Sequence, residues 1–180
     1  MPVFAANLTM MFNEWQFLDR FDAAAEAGFT VVEYLFPYEF APEAIAERLD
    51  RNGLTQALFN MPPGDWNGGE RGLAALPGRF EEVKSNVDKA LAYAEATGVK
   101  RLHLMAGLAA PEDMEAIRAY RRSVEYCAGR LAERGLDLVL EPINGRNMPG
   151  YFLNDFNRAR RLIKELGLPN LKLQFDIYHR

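Results

Sequence analysis

The sequence predicts an α/β chain of parallel strands, of the (β/α) TIM-barrel type but incomplete, with about six of the eight strand–helix units that closure requires. Three observations predict it. Six short stretches with strand character alternate with five helix-like stretches. A glycine ends each helix-like stretch and precedes the next strand. The first strand runs into NLTMMFNEW, which has no glycine, so the phosphate loop expected of an open nucleotide-binding sheet is missing.

The strands are expected at 3–8 (VFAANL), 30–36 (TVVEYLF), 54–60 (LTQALFN), 100–106 (KRLHLMA), 136–141 (LDLVLE) and 171–176 (LKLQFD). Helices are expected at about 14–27, 42–52, 79–97, 112–134 and 155–166. Gly28, Gly53, Gly98, Gly135 and Gly167 sit where a left-handed residue closes a helix. Pro42, Pro111 and Asn154 suit helix starts. Strand–helix–strand repeats of this kind join parallel strands through right-handed crossovers. No linker or low-complexity tract divides the chain, so residues 1–180 read as one partial barrel domain. The long connection NMPPGDWNGGERGLAALPG, 60–78, is of a length that usually carries function or mobility.

Composition narrows the class. With 180 residues, 49% of them hydrophobic, the chain can bury a substantial core. A formal charge of −4 argues against a nucleic-acid partner, and no apolar run is long enough to span a membrane. The N-terminus lacks the pattern of a signal peptide. The one cysteine, Cys127, lies in a helical stretch, where it reads as a buried small side chain rather than a nucleophile. A single cysteine also fits a reducing, cytoplasmic location.

In a barrel the more apolar parity of each strand faces the helices and the other faces inward. Leu136, Leu138 and Leu140 take the outer face of their strand, which leaves Asp137, Val139 and Glu141 inside. The same test places Lys172, Gln174 and Asp176 inside the last strand, His103 and Met105 inside the fourth, and Glu33 inside the second. Asn7 falls near the C-terminal end of the first strand whichever parity holds. Asn7, Glu33, His103, Glu141 and Asp176 are thus expected in or above one cavity. Lys172 and Asp137 start their strands and read as structural. Glu33 can equally be a paired structural acid, and His103 a hydrogen-bonded interior histidine. Glu141 precedes Pro142, which holds it extended at the strand end, where barrel active sites lie. Two carboxylates there, Glu141 and Asp176, suit a hard divalent cation, Mg²⁺ or Mn²⁺, over zinc, because neither His103 nor His179 belongs to a compact His/Cys set.

ANLTMMF, FLDRFDAAAEAGFTVVEYLFPY, GDWNGGERG, EPIN and QFDIYH together resemble the hydroxypyruvate isomerase family of xylose-isomerase-like barrels, across essentially the whole chain. The resemblance implies an aldose–ketose isomerase that interconverts hydroxypyruvate and tartronate semialdehyde through an enediolate. The alternatives are another sugar or oxo-acid isomerase or epimerase of the superfamily, such as one acting on 2-oxo-tetronate, and a non-catalytic fragment. It implies that Glu141 and Asp176 bind a divalent metal and that Glu141 also transfers a proton. Arg71 is the candidate for holding the carboxylate of a small oxo-acid substrate, unless it braces the loop by pairing with Glu70. Asn60, Trp66 and His179 are candidates for lining the pocket, Trp66 alternatively packing the loop down. The family pattern continues through two further strands, so the chain is expected to resemble an isomerase truncated after its sixth strand. Two expected ligands and a second catalytic acid would then be missing, and the exposed strand edges would favour a homo-oligomer or other association.

Overall fold

The computed structural model describes residues 2–180. Seven parallel strands alternate with five α-helices: β1 (Ala5–Asn7), α1 (Arg20–Glu26), β2 (Val31–Glu33), α2 (Pro42–Asn52), β3 (Thr55–Gln56), β4 (Phe59–Asn60), α3 (Phe80–Thr97), β5 (Arg101–His103), α4 (Met114–Ala132), β6 (Asp137–Leu140), α5 (Phe156–Leu166) and β7 (Leu171–Leu173). Each strand pairs with its sequence neighbours in the orders β1-β2-β3 and β4-β5-β6-β7, the progression of a TIM-type barrel wall. The helices lie along the outside, α2 packing on α3 and α3 on α4.

The single strand expected at 54–60 is two, β3 and β4, and the break has a backbone cause. The amides of Thr55 and Ala57 donate to the carbonyls of Thr30 and Val32, but the next bond runs from Asn60 to Leu35. Both strands advance three residues instead of two, so regular alternation is lost at 57–58. Met61 then donates to His103, carrying the segment across to β5. Residues 55–61 thereby join the two sheets into one curved wall.

The five helix-closing glycines all have positive φ. The helix starts differ from expectation at three places. Asp113 and Asp155, not Pro111 and Asn154, are the caps of α4 and α5, their carboxylates accepting from the amides of Glu115 and Arg158. The first helix starts later than residue 14. Phe12 sits at φ 59° and Arg20 reaches back to donate to the carbonyls of Leu8 and Trp15, which holds 10–16 in turns.

The core is continuous from the helices to the sheet. Tyr34 on the β2 side meets Phe17 and Phe21 edge-on or tilted at 5.3 and 5.8 Å and stacks on Phe59 at 6.3 Å. Cys127 is buried in it, and desolvation raises its thiol pKa to about 12, so it is inert filling. Among the described residues, β1 pairs only with β2 and β7 only with β6. Near these two free edges Val3, Phe4, Phe175 and Ile177 are exposed.

The long connection folds back against the wall. Gly72 bridges to Ala106, and a β-carbon at Gly72 would lie 2.4 Å from the carbonyl oxygen of Met105. With φ at 106° as well, this position accepts only glycine. Opposite it a β-carbon at Gly107 would lie 2.6 Å from the carbonyl of Gly72. This close approach seats the loop and brings Trp66 to the mouth of the barrel.

Candidate active site

At the C-terminal ends of the strands lies a cavity of about 410 Å³. β1 and β2 supply Asn7 and Glu33, which hydrogen-bond to each other, Asn7 Nδ2 donating to Glu33 Oε1 at 3.0 Å. β4 and β5 supply Asn60 and His103, joined through Oδ1 and Nδ1 at 3.1 Å. The segments after β6 and β7 supply Glu141, Gln174, Asp176 and His179. Strand parity accounts for Asn7, Glu33, His103 and Glu141, each the inward residue at the point where its strand leaves the sheet, whereas His179 is brought in by the turn Ile177–His179.

Among the described residues three carboxylates, Glu33, Glu141 and Asp176, line this cavity, and no lysine or arginine does. Burial, reinforced by Asp176 and then Glu33, pushes the Glu141 pKa up to about 7, although Gln174 Nε2 donates to its Oε1 at 3.0 Å. Burial likewise raises Glu33, against the stabilising bond from Asn7 and with Asp176 adding to the rise. Such a cluster is short of positive charge, which is the setting that a divalent cation relieves. Glu141, Asp176 and His179 each offer an atom within 4.8 Å of the others. The two carboxylates are hard oxygen donors, the kind that hard divalent cations prefer. His179 comes up to the two acids because the turn Ile177–His179 folds it back over Asp176, a single imidazole beside two carboxylates.

His103 is fully enclosed, and burial lowers its pKa to about 4, so the ring is neutral at ordinary pH. Its Nε2 and the Oε1 of Gln174 are buried without a protein partner among the described residues. Trp66 lines the cavity and packs against Phe36 at 5.0 Å, so it both borders the pocket and pins the loop.

Arg71 is placed differently from either expectation. It does not line the cavity. Its Nη1 donates to the carbonyls of Trp66 and Glu70, and its guanidinium lies 4.1 Å from the centre of the Trp66 ring. Glu70 pairs instead with Arg79 at 2.6 Å, so the loop is braced by a different pair. The conformation of GERG turns Arg71 onto its own loop, which nothing in the local sequence specified. Residues whose site contacts sequence reasoning missed are Gln174, which was placed inside but given no partner, and Asn144. Asn144 Nδ2 lies 2.9 Å from His179 Nδ1, a contact across 35 residues.

Comparison with known proteins bears on this arrangement. The family model of the xylose isomerase-like TIM barrel matches residues 21–180. The chain is 53% identical to a 2-oxo-tetronate isomerase of Cupriavidus necator, over 99% of this chain and 70% of the relative. It is 41% identical to the hydroxypyruvate isomerase of Escherichia coli, over 98% of this chain and 69% of the relative. A solved structure described as a family 2 AP endonuclease from Brucella melitensis superposes with a TM-score of 0.96 at 50% identity, over 99% of this chain and 70% of that one. The chain belongs to the xylose isomerase-like TIM-barrel family, among its hydroxypyruvate and 2-oxo-tetronate isomerase relatives.

Proposed function

We propose that the chain acts in a metal-dependent carbonyl shift between C2 and C3 of a small oxo acid, the three-carbon case being hydroxypyruvate to tartronate semialdehyde. The observation that carries this reading is a cavity whose lining, among the described residues, has three carboxylates and neither lysine nor arginine, with Glu141 pushed up by burial and its acidic neighbours. A divalent cation bound there supplies charge stabilisation for the substrate oxygens. Glu141 and Asp176 would hold it, in agreement with their proximity.

The proton steps belong to Glu141. Glu141 is the carboxylate placed to take a proton from the carbon bearing the hydroxyl and return it to the neighbouring carbon. Between those events the substrate is an enediolate, whose negative charge the site must stabilise. Gln174 holds one oxygen of Glu141 and so sets the direction of its other oxygen. Trp66, packed on Phe36, covers one side of the cavity and limits access of water to the carbanionic species.

The 53% identity with a 2-oxo-tetronate isomerase favours a second substrate of the same chemistry, with one more carbon. The deciding experiment is the ratio of kcat/KM for hydroxypyruvate and 2-oxo-tetronate, measured after chelation and again with Mg²⁺ or Mn²⁺ restored. Metal-restored turnover of either supports the reading, and the higher ratio names the substrate. No turnover of either with metal present contradicts it.

A further inference from the structure

The imidazole of His179 has two possible neutral forms, and the residues around it select one. Asn144 Oδ1 accepts from the backbone amides of Arg146 at 3.1 Å and Asn147 at 2.9 Å. Its Nδ2 faces the carbonyl of Tyr178 at 3.2 Å and Nδ1 of His179 at 2.9 Å. Exchanging the amide oxygen and nitrogen would set a donor against two N–H groups and an acceptor against a carbonyl. The amide orientation is therefore fixed by three contacts before the histidine is considered. An NH₂ group can only donate, so Nδ1 of His179 must accept. The proton of the neutral ring then sits on Nε2, the atom 3.9 Å from Asp176 Oδ2 on the cavity side.

We infer that Asn144 is a positioning residue that locks His179 as an Nε2–H donor, so that His179 serves as a hydrogen-bond donor to an anionic substrate oxygen and not as a third metal ligand. Coordination needs a lone pair, and in this arrangement neither ring nitrogen has one to spare: Nδ1 is occupied by Asn144 and Nε2 carries the proton. The cavity lining has no arginine or lysine for an oxo acid, and this N–H supplies a polarised donor where one is needed. The assignment of a substrate oxygen as acceptor rests on the proposed isomerase reading. The tautomer itself does not.

The test uses the full chain, which has two histidines. Long-range ¹H–¹⁵N correlation of the imidazoles, at a pH where both rings are neutral, reports which nitrogen bears the proton, and a His103→Asn variant assigns the signals. The expected result is His179 protonated on Nε2, unchanged on addition of Zn²⁺. In Asn144→Asp the carboxylate accepts from Nδ1, so the proton moves there and frees Nε2. Zn²⁺ affinity should then rise about tenfold or more, the scale of effects from groups that orient a ligand. A wild-type ring protonated on Nδ1, or direct Zn²⁺ coordination by Nε2 in the wild type, overturns the inference, and that result needs no variant to fold. A chain with the Nε2–H tautomer but no isomerase activity upholds the lock and removes the catalytic reading alone.

Discussion

Two populations of carboxylates in this molecule are treated in opposite ways. On the outer surface Asp22 accepts from Arg51 and Asn52 and lies 2.8 Å from Arg48, and Glu70 is gripped by Arg79; both are held below the usual carboxylate range by those bonds. In the cavity Glu33 and Glu141 are desolvated, face other acids, and are held above it. The outer acids have cationic partners, while the inner acids receive only amide hydrogen bonds, from Asn7 and Gln174. An acid with its charge already matched fastens helices and loops. An acid left unmatched in a pocket can bind a cation or exchange a proton.

Substitutions can break or sharpen that contrast. The largest effect is expected from Glu141→Gln, which keeps the shape and removes the proton-transfer group. Turnover should fall about a thousandfold, within the range for lost general acid–base catalysis. The melting temperature should not fall, because a poorly solvated charge has been removed, and differential scanning calorimetry checks this.

His103 gives the contrast in a base. Unfolded, its ring titrates near 6.5; folded, it stays neutral down to about 4. Between those values the unfolded chain binds more protons, so the stability associated with the neutral ring is intact above about pH 6.5 and is lost as pH falls toward 4. The full change is about 3 kcal/mol from the size of the shift. Urea titrations of wild type and His103→Asn should give a stability difference that changes with pH across that window and is flat above it.

A backbone control comes next. Gly72→Ala places a β-carbon against the Met105 carbonyl at a positive φ. It should cost about 2 kcal/mol, the scale of strain at such positions, and loosen the seat of Trp66, seen as a change in indole fluorescence. The smallest effect is expected at the outer acids. Glu70→Gln should cost only about 0.5 kcal/mol, because the Glu70–Arg79 pair is partly solvated. A large loss of stability there would blur the division between the two populations.

Much of the fold was legible because its signals are local. Helix-ending glycines and apolar parity are read within a few residues, and they placed Glu141, Asp176, His103 and Asn7 at one cavity. The break between β3 and β4 was not legible, since it depends on a shared three-residue step in two strands. Asn144 and Gln174 were missed as partners because their bonds, to His179 and Glu141, span 35 and 33 residues. Arg71 has the residue type that binds a carboxylate, but the turn around it directs the guanidinium to Trp66. Residue type can nominate a site; only the path of the chain decides which groups reach it.

The measurement that bears most directly on the unmatched acids as a working site is solvent deuterium incorporation. Hydroxypyruvate would be incubated with the chain and Mn²⁺ or Mg²⁺ in D₂O and its carbon-bound protons followed by NMR. Metal-dependent exchange at the carbon bearing the hydroxyl, absent in Glu141→Gln, is the expected result. Exchange equally fast in Glu141→Gln, or unaffected by a chelator, would contradict the role assigned to Glu141 and its neighbours.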